Sequence, residues 1–295
     1  MNAPPQRLVS HPSTKRLTAA TRHRTCAGSF RNSRPSPARS MNRYLLPVVC
    51  GVGAFLLTAS ASSQDLHPGI IGDDDRVVVD DQGPPWDAVG QVNVGGYRMA
   101  GRCTGTLVAP DIVLTAAHCV MDPWNKKPFP LHDIHFLATR ASKNKGHSTA
   151  KCLHFPKGYD FATVETGERN VPLRAFANDA VAIVLNEKLA VAPAALADGV
   201  VAGPELQLVH AAYPADRRYV LSAHFNCHLL QSDVELPLWL NDCDTHPASS
   251  GGPLFTTGDG APKLAAIMVG GGEHTFNIAL PITEWLELTR NAACP

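Results

Sequence analysis

No aspartate or glutamate occurs in the first 61 residues of this 295-residue chain, although nine Lys/Arg do. Residues 1–40 hold eight of those cations among many Ser and Pro, a composition that argues against a folded domain there. Long hydrophobic runs are missing too. The apolar stretch Tyr44 to Leu57 falls short of the roughly 20 residues of a membrane helix and is followed at once by polar residues. Beyond residue 61 basic charge becomes the scarce quantity. There 17 basic residues face 26 acidic ones, a net of −9 that the zero net charge of the whole chain conceals. An acidic domain without a basic groove argues against nucleic-acid binding, whose affinity rests on neutralising phosphates. No internal repeat is visible.

The N-terminal region divides at Met41. Residues 1–40 read either as a basic disordered or targeting tail or as untranslated sequence ahead of a start at Met41. The second reading is preferred, because a complete secretory signal follows over 41–61. Arg43 supplies the positive region, Tyr44 to Leu57 the apolar region and Ala59-Ser60-Ala61 a small-x-small cleavage site. Cys50, preceded by Val49, lies in a poor context for lipid attachment. The mature protein is then expected over 62–295, beginning near Ser62, and to be secreted or periplasmic.

Cysteine is not scarce. Cys26 and Cys50 fall in the tail and signal, leaving Cys103, Cys119, Cys152, Cys227, Cys243 and Cys294. An even number in an exported chain reads as three disulfides. Short apolar runs dominate the mature region, among them Gly105-Thr106-Leu107-Val108, Ile112-Val113-Leu114-Thr115, Ala180 to Leu185 and Leu264 to Val269. Gly, Pro, Asn and Asp separate them. Strand-length runs at such spacing predict an all-β barrel or sandwich. Leu189 to Val201, rich in Ala and Pro, reads as a linker, and His132 and His135 as loop residues. At the end, Ile282, Trp285, Leu286 and Thr289 share one side of a helical period behind Pro281. This predicts a C-terminal helix over about 282–290 with Trp285 as a core anchor.

Three local patterns carry chemistry. A histidine stands in Leu114-Thr115-Ala116-Ala117-His118-Cys119, sixteen residues after Cys103. An aspartate, Asp179, opens the apolar run Ala180 to Leu185, and a glycine-flanked serine stands in Ser250-Gly251-Gly252-Pro253. Acyl transfer by a serine needs such a set: a nucleophile, an imidazole to take its proton and a carboxylate to hold the imidazole in the right tautomer. Taken singly, His118 reads as a buried core histidine and Asp179 as a turn residue before a strand. Asp111 stays a turn residue, since Ala109-Pro110-Asp111 breaks two strand runs. Ser250 is preferred to Ser249 because Gly251-Gly252-Pro253 follows it directly.

In identity and order these motifs resemble the trypsin/chymotrypsin superfamily of serine peptidases, over roughly Val77 to Arg290. The resemblance implies two six-stranded antiparallel β-barrels, the first over about 77–188 and the second over about 200–281, with a cleft between them. It implies His118 as general base and acid, Asp179 as its orienting partner and Ser250 as nucleophile. The backbone N–H groups of Ala248 and Ser250 would form the oxyanion hole, and a Cys103–Cys119 bridge would fix the loop bearing His118. Cys227–Cys243 is expected from proximity, and Cys152–Cys294 then follows by elimination.

Two departures from the common pattern carry information. Ser249 stands where the trypsin branch keeps an aspartate to meet a freed N-terminal amine, and Gly69-Ile70-Ile71-Gly72-Asp73 has no basic residue ahead of it. The oxyanion loop is therefore expected to be held by neutral hydrogen bonds, including that of the Ser249 hydroxyl. In this the chain is most similar to the bacterial glutamyl-endopeptidase-like branch, as it is in Asp74-Asp75-Arg76, Cys243-Asp244-Thr245 and Phe276-Asn277-Ile278-Ala279. The second departure is Ala248 in place of glycine, which would be strained if its φ is positive. The resemblance assigns Asp244, Thr245, Val269, Gly270 and Gly271 to substrate binding. Methionine at 268, where that branch keeps a histidine, leaves glutamate preference unsupported. The expected partner is a protein or peptide substrate, met by a monomer with no cofactor or metal and no membrane contact once the signal is removed. A zinc site from His224, Cys227, His228, Cys243 and His246 is opposed by irregular spacing, even cysteine parity and an oxidising compartment. A catalytically silent relative acting as a binding module is the competing reading.

Overall fold

Short apolar runs punctuated by Gly, Pro, Asn and Asp become fifteen strands in the computed structural model, which describes residues 69–80, 83–96, 103–140, 143–160, 172–230, 235–258, 260–272 and 274–295. The tail, the signal and Ser62 lie outside the described residues. In chain order the strands of the N-terminal half are β1 (Val77–Val78), β2 (Val89–Val94), β3 (Cys103–Ala109), β4 (Ile112–Thr115), β5 (Met121–Asp122), β6 (Lys127–Pro128), β7 (Ile134–Arg140), β8 (Lys143–His154) and β9 (Val181–Leu185). Those of the second half are β10 (Gln207–Ala212), β11 (Ser222–His228), β12 (Trp239–Asn241), β13 (Pro253–Thr256), β14 (Lys263–Gly272) and β15 (Phe276–Pro281). Ser62–Pro295 is one compact unit. His135 belongs to β7 rather than to a loop.

The first barrel closes in the order β2-β3-β4-β9-β8-β7. Leu107, Leu114, Phe136 and Ile183 are among its core residues, and every residue of β9 is buried. A strand covered on both faces has no polar side to show, which is why 181–185 reads as an unbroken apolar run. Antiparallel register sets Thr115 opposite Val181 and Leu114 opposite Ala182. The end of β4 thus meets the start of β9.

The second sheet has seven strands in the order β1-β11-β10-β13-β14-β15-β12. Without β1 it is a six-stranded curl whose two ends, β11 and β12, nearly meet. A single bridge, Leu229 to Asn241, crosses that seam, and the Leu230 N–H donates to Leu240 O at 2.8 Å. The Cys227–Cys243 disulfide staples the same seam. The sheet is therefore a barrel closed by one bridge and one covalent bond, with β1 added to its β11 side. Trp86 packs edge-on against Phe255 of this sheet at 5.8 Å between centroids, joining the two halves.

The linker is a packed strap. Its Ala194 N–H donates to Leu107 O in the first barrel, and its Ala197 N–H to Leu264 O in the second sheet. The C-terminal helix is shorter than its periodicity predicts, because a 3-10 turn over Ile282–Glu284 precedes α1 (Leu286–Arg290). Trp285 lies between them, fully buried, its indole N–H donating to Leu280 O. Beyond α1, the Cys152–Cys294 bond ties the chain end to β8.

Candidate active site

β4 ends three residues before His118, and β9 begins two residues after Asp179. Their antiparallel pairing carries both side chains to one place. A 3-10 turn over Ala117–Val120 swings His118 inward. Asp179 is completely buried and uses both oxygens on His118: Oδ1 accepts the backbone N–H at 2.9 Å, and Oδ2 lies 2.6 Å from ring Nδ1. A carboxylate only accepts, so Nδ1 carries a proton in this contact. The Cys103–Cys119 bond locks the turn from the other side. Tyr159, which sequence reasoning passes over, lies close enough to feel the Asp179 charge. Burial first, and that charge second, push its phenol above the ordinary range, so it stays protonated.

Ser250 stands between two turns. The Ser249 N–H donates to His246 O at 2.9 Å, closing a turn with Pro247 second and Ala248 third. Ala248 has φ +76°. Proline second and a positive φ third define a type II turn, which favours glycine at that third position. The Gly252 N–H then donates to Ser249 O at 2.8 Å, with Gly251 at φ +78°. Gly251 admits no side chain, since a Cβ there would lie 2.0 Å from Thr115 Oγ1 and 2.3 Å from Thr104 O. Among the described residues, neither the Ala248 nor the Ser250 N–H has a backbone partner.

Thr104, fully buried on β3, ties this loop to the first barrel. Its N–H donates to Ser250 O at 2.9 Å, and its hydroxyl donates to Ala248 O at 3.1 Å while accepting the Tyr213 N–H at 3.0 Å. Nothing in the sequence marks Thr104 beyond its place after Cys103. Ser249 is also buried, and its hydroxyl accepts the His246 N–H at 3.3 Å, a neutral bond within the turn.

An acid does meet the N-terminal segment, but six residues upstream of Ser250. Asp244 is fully buried; its Oδ1 accepts the Ile71 N–H at 2.9 Å and its Oδ2 the Asp75 N–H at 2.8 Å. Burial pushes its carboxyl upward, against those two donors. A carboxylate so engaged anchors residues 71–75 instead of standing open in a substrate pocket. Gly69 O accepts from the Thr245 N–H and the Asn277 side chain, at 2.9 and 2.8 Å. Arg76, also buried, is clamped by Asp74 at 2.8 Å and Asp216 at 2.7 Å.

The other positions expected to bind substrate are Thr245, Val269, Gly270 and Gly271. Thr245 Oγ1 is 3.4 Å from Nε2 of His210, whose Nδ1 is 3.1 Å from Pro253 O. The carbonyl requires a proton on Nδ1, so Nε2 accepts the Thr245 hydroxyl proton. Burial lowers the His210 pKa to about 4 and keeps the ring neutral. The β14–β15 register shifts between Met268 and Gly270, a bulge at buried Val269. A Cβ on Gly270 would come within 2.7 Å of the Phe176 ring, and one on Gly271 within 2.4 Å of Asn277 Oδ1. Phe176, three residues before Asp179, thus packs against Gly270, a neighbour that sequence reading misses. The zinc alternative loses its sulfurs, because Cys227 and Cys243 are bonded to each other. Atoms of Asp75, His224 and Asp244 also come within 4.8 Å of one another. There Asp244 holds two backbone N–H groups, and its own N–H donates to His224 Nδ1 at 2.8 Å.

Comparison with known proteins bears on this geometry. The family profile described as "Trypsin-like peptidase domain" matches residues 103–262. A curated relative, "Modular serine protease" of Drosophila melanogaster, is 38% identical over 48 residues. That match takes in 16% of this chain and only 8% of the relative's length. Among solved structures, a Glu endopeptidase in complex with MPD superposes with a TM-score of 0.58 at 19% identity, covering 75% of this chain and 97% of its own. At that identity the likeness is one of fold.

Proposed function

Because the chain belongs to the trypsin-like peptidase domain family, we propose that it is a secreted serine endopeptidase with His118, Asp179 and Ser250 as its catalytic triad. The observation that carries this reading is the buried Asp179, which holds His118 through both of its oxygens. The Ser250 hydroxyl attacks the scissile carbonyl while His118 Nε2 takes its proton. Asp179 stabilises the imidazolium without itself being protonated. The N–H groups of Ala248 and Ser250 meet the developing oxyanion, a contribution that typically amounts to about 10²–10³ in rate. His118 then returns the proton to the departing amine, and water repeats the sequence on the acyl-enzyme.

The substrate is a protein or peptide, bound between Thr245, Val269, Gly270 and Gly271 by a monomer, with Asp244 supporting the pocket from behind. Residues 62–295 make up the peptidase domain, 41–61 a signal peptide and 1–40 a basic or untranslated segment. Three disulfides support export. Among the described residues, no helix is long and apolar enough to cross a membrane. A silent binding module remains the rival, favoured by the strained backbone of Ala248.

Labelling with a serine-directed fluorophosphonate separates the two. The enzyme reading expects stoichiometric modification of Ser250, lost in Ser250→Ala and nearly lost in His118→Ala. Ser249→Ala should keep most of the hydrolysis, and the His118/Ser250 double variant should be little worse than either single. Full activity in Ser250→Ala would falsify the assignment, and an unlabelled wild-type protein would favour the binding module.

A further inference from the structure

The chain has four tryptophans. Trp86, Trp239 and Trp285 are buried, whereas Trp124 is 91% exposed. It sits on a hairpin whose backbone is nevertheless pinned. β5 and β6 pair Met121 with Pro128 and Asp122 with Lys127. The Asp122 carboxylate accepts the Trp124 N–H at 2.9 Å and the Asn125 side-chain amide, while Asp122 O accepts the Lys126 N–H at 2.9 Å. At the base, the Phe129 N–H donates to O of fully buried Val120 at 2.9 Å. The fold thus orders a turn, at a cost in chain entropy, around a large side chain that remains in water.

The hairpin springs directly from the His118 turn. Its tip is four residues from Val120, so Trp124 lies no more than about 14 Å from it along the chain. In the mechanism above, His118 hands its proton to the departing amine, so the loop that carries it borders the leaving-group side. The hairpin also bears a cavity of about 360 Å³ lined by Asp122, Asn125, Lys127, Pro128, Phe129 and Pro130.

We propose that Trp124 is a specificity residue that receives a large apolar side chain of an extended polypeptide on the leaving-group side of the scissile bond. This rests on the peptidase reading. Indoles carried on a pinned backbone bury a large apolar area at the cost of only two side-chain rotations, and tryptophan is enriched among the residues that dominate such contacts.

Two measurements test it, both with oxidised insulin B chain, a polypeptide without tryptophan. Trp124→Ala should raise KM for the B chain about tenfold and leave p-nitrophenyl acetate hydrolysis unchanged, because that ester has nothing beyond its leaving group to touch the hairpin. Trp124→Phe should recover most of the loss. In the Ser250→Ala protein, B chain should at least halve iodide quenching of tryptophan fluorescence, which reports mainly the one exposed indole. Unchanged KM in Trp124→Ala, or unchanged quenching with B chain bound, overturns the proposal. A wild-type protein inert towards both ester and B chain would sink the peptidase reading instead, and quenching would still decide the fate of Trp124.

Discussion

Ala248 occupies a backbone conformation that its side chain opposes. A left-handed alanine costs about 1–2 kcal/mol relative to ordinary backbone, and the turn keeps it there because Pro247 fixes one side and Thr104 holds the carbonyl. The strain is therefore met by neighbouring bonds, and the N–H groups on either side of Ser249 remain directed by the turn. Ala248→Gly removes the clash but frees the unfolded chain, which offsets roughly 0.4–1 kcal/mol. The net expectation is a gain of about 0.5–1 kcal/mol, read as a rise of a few degrees in Tm. The rate of Ser250 phosphonylation should stay within about threefold. A tenfold rise would mean that the alanine distorts the oxyanion hole after all.

At the scale of the element, the segment from Gly69 to Val79 is tied down by partners far along the chain. Its amides reach Asp244, its Gly69 carbonyl reaches Thr245 and Asn277, and Arg76 joins it to Asp216. The donor at Ile71 is an internal amide, so no cleavage is needed to create it. Chains beginning at Ser62, with or without a short tag, should hydrolyse substrate at rates equal within about twofold. Were activity to arise only after trimming to Ile70 or Ile71, Asp244 would require an ammonium and this account would fail. Trimming to Val77 should lower Tm, because it leaves the buried Asp244 carboxylate without two of its donors.

For the whole molecule, an ion pair and a buried histidine combine into an acid limit. The Arg76 hydrogen bond lowers the Asp74 pKa to about 2, below the value of about 4 expected when unfolded. The unfolded chain binds the extra proton between those values, so this stability is present above pH 4 and is lost towards pH 2. His210, lowered to about 4 by burial, acts one window higher. The unfolded imidazole takes a proton near pH 6.5 that the folded one refuses, so stability falls from about pH 6.5 down through 4. Urea midpoints measured from pH 7 to 2 should therefore decline in two stages. Asp74→Asn should flatten the lower stage and His210→Gln the upper. A profile unchanged in both variants would show that other groups set the limit.

The features legible in the chain itself are those written within a few adjacent residues. Apolar runs bounded by turn residues announce strands, and the motifs around His118, Asp179 and Ser250 each occupy seven residues or fewer, so local reading suffices for them. Cysteine parity announces three disulfides, although Cys152 and Cys294 are 142 residues apart and carry no local sign of each other. What tertiary structure alone decided involves partners distant in sequence. The meeting of Asp179 with His118 depends on the β4–β9 register, and the anchoring of Ser250 depends on Thr104, 146 residues upstream. The engagement of Asp244 by Ile71, the packing of Phe176 against Gly270 and the single-bridge seam of the second barrel likewise arise only when separate strands pack. Hydrophobic pattern determines which residues face a core. Which buried donor finds which acceptor is determined by strand order and register, and a pattern with a period of two residues does not encode those over a hundred positions.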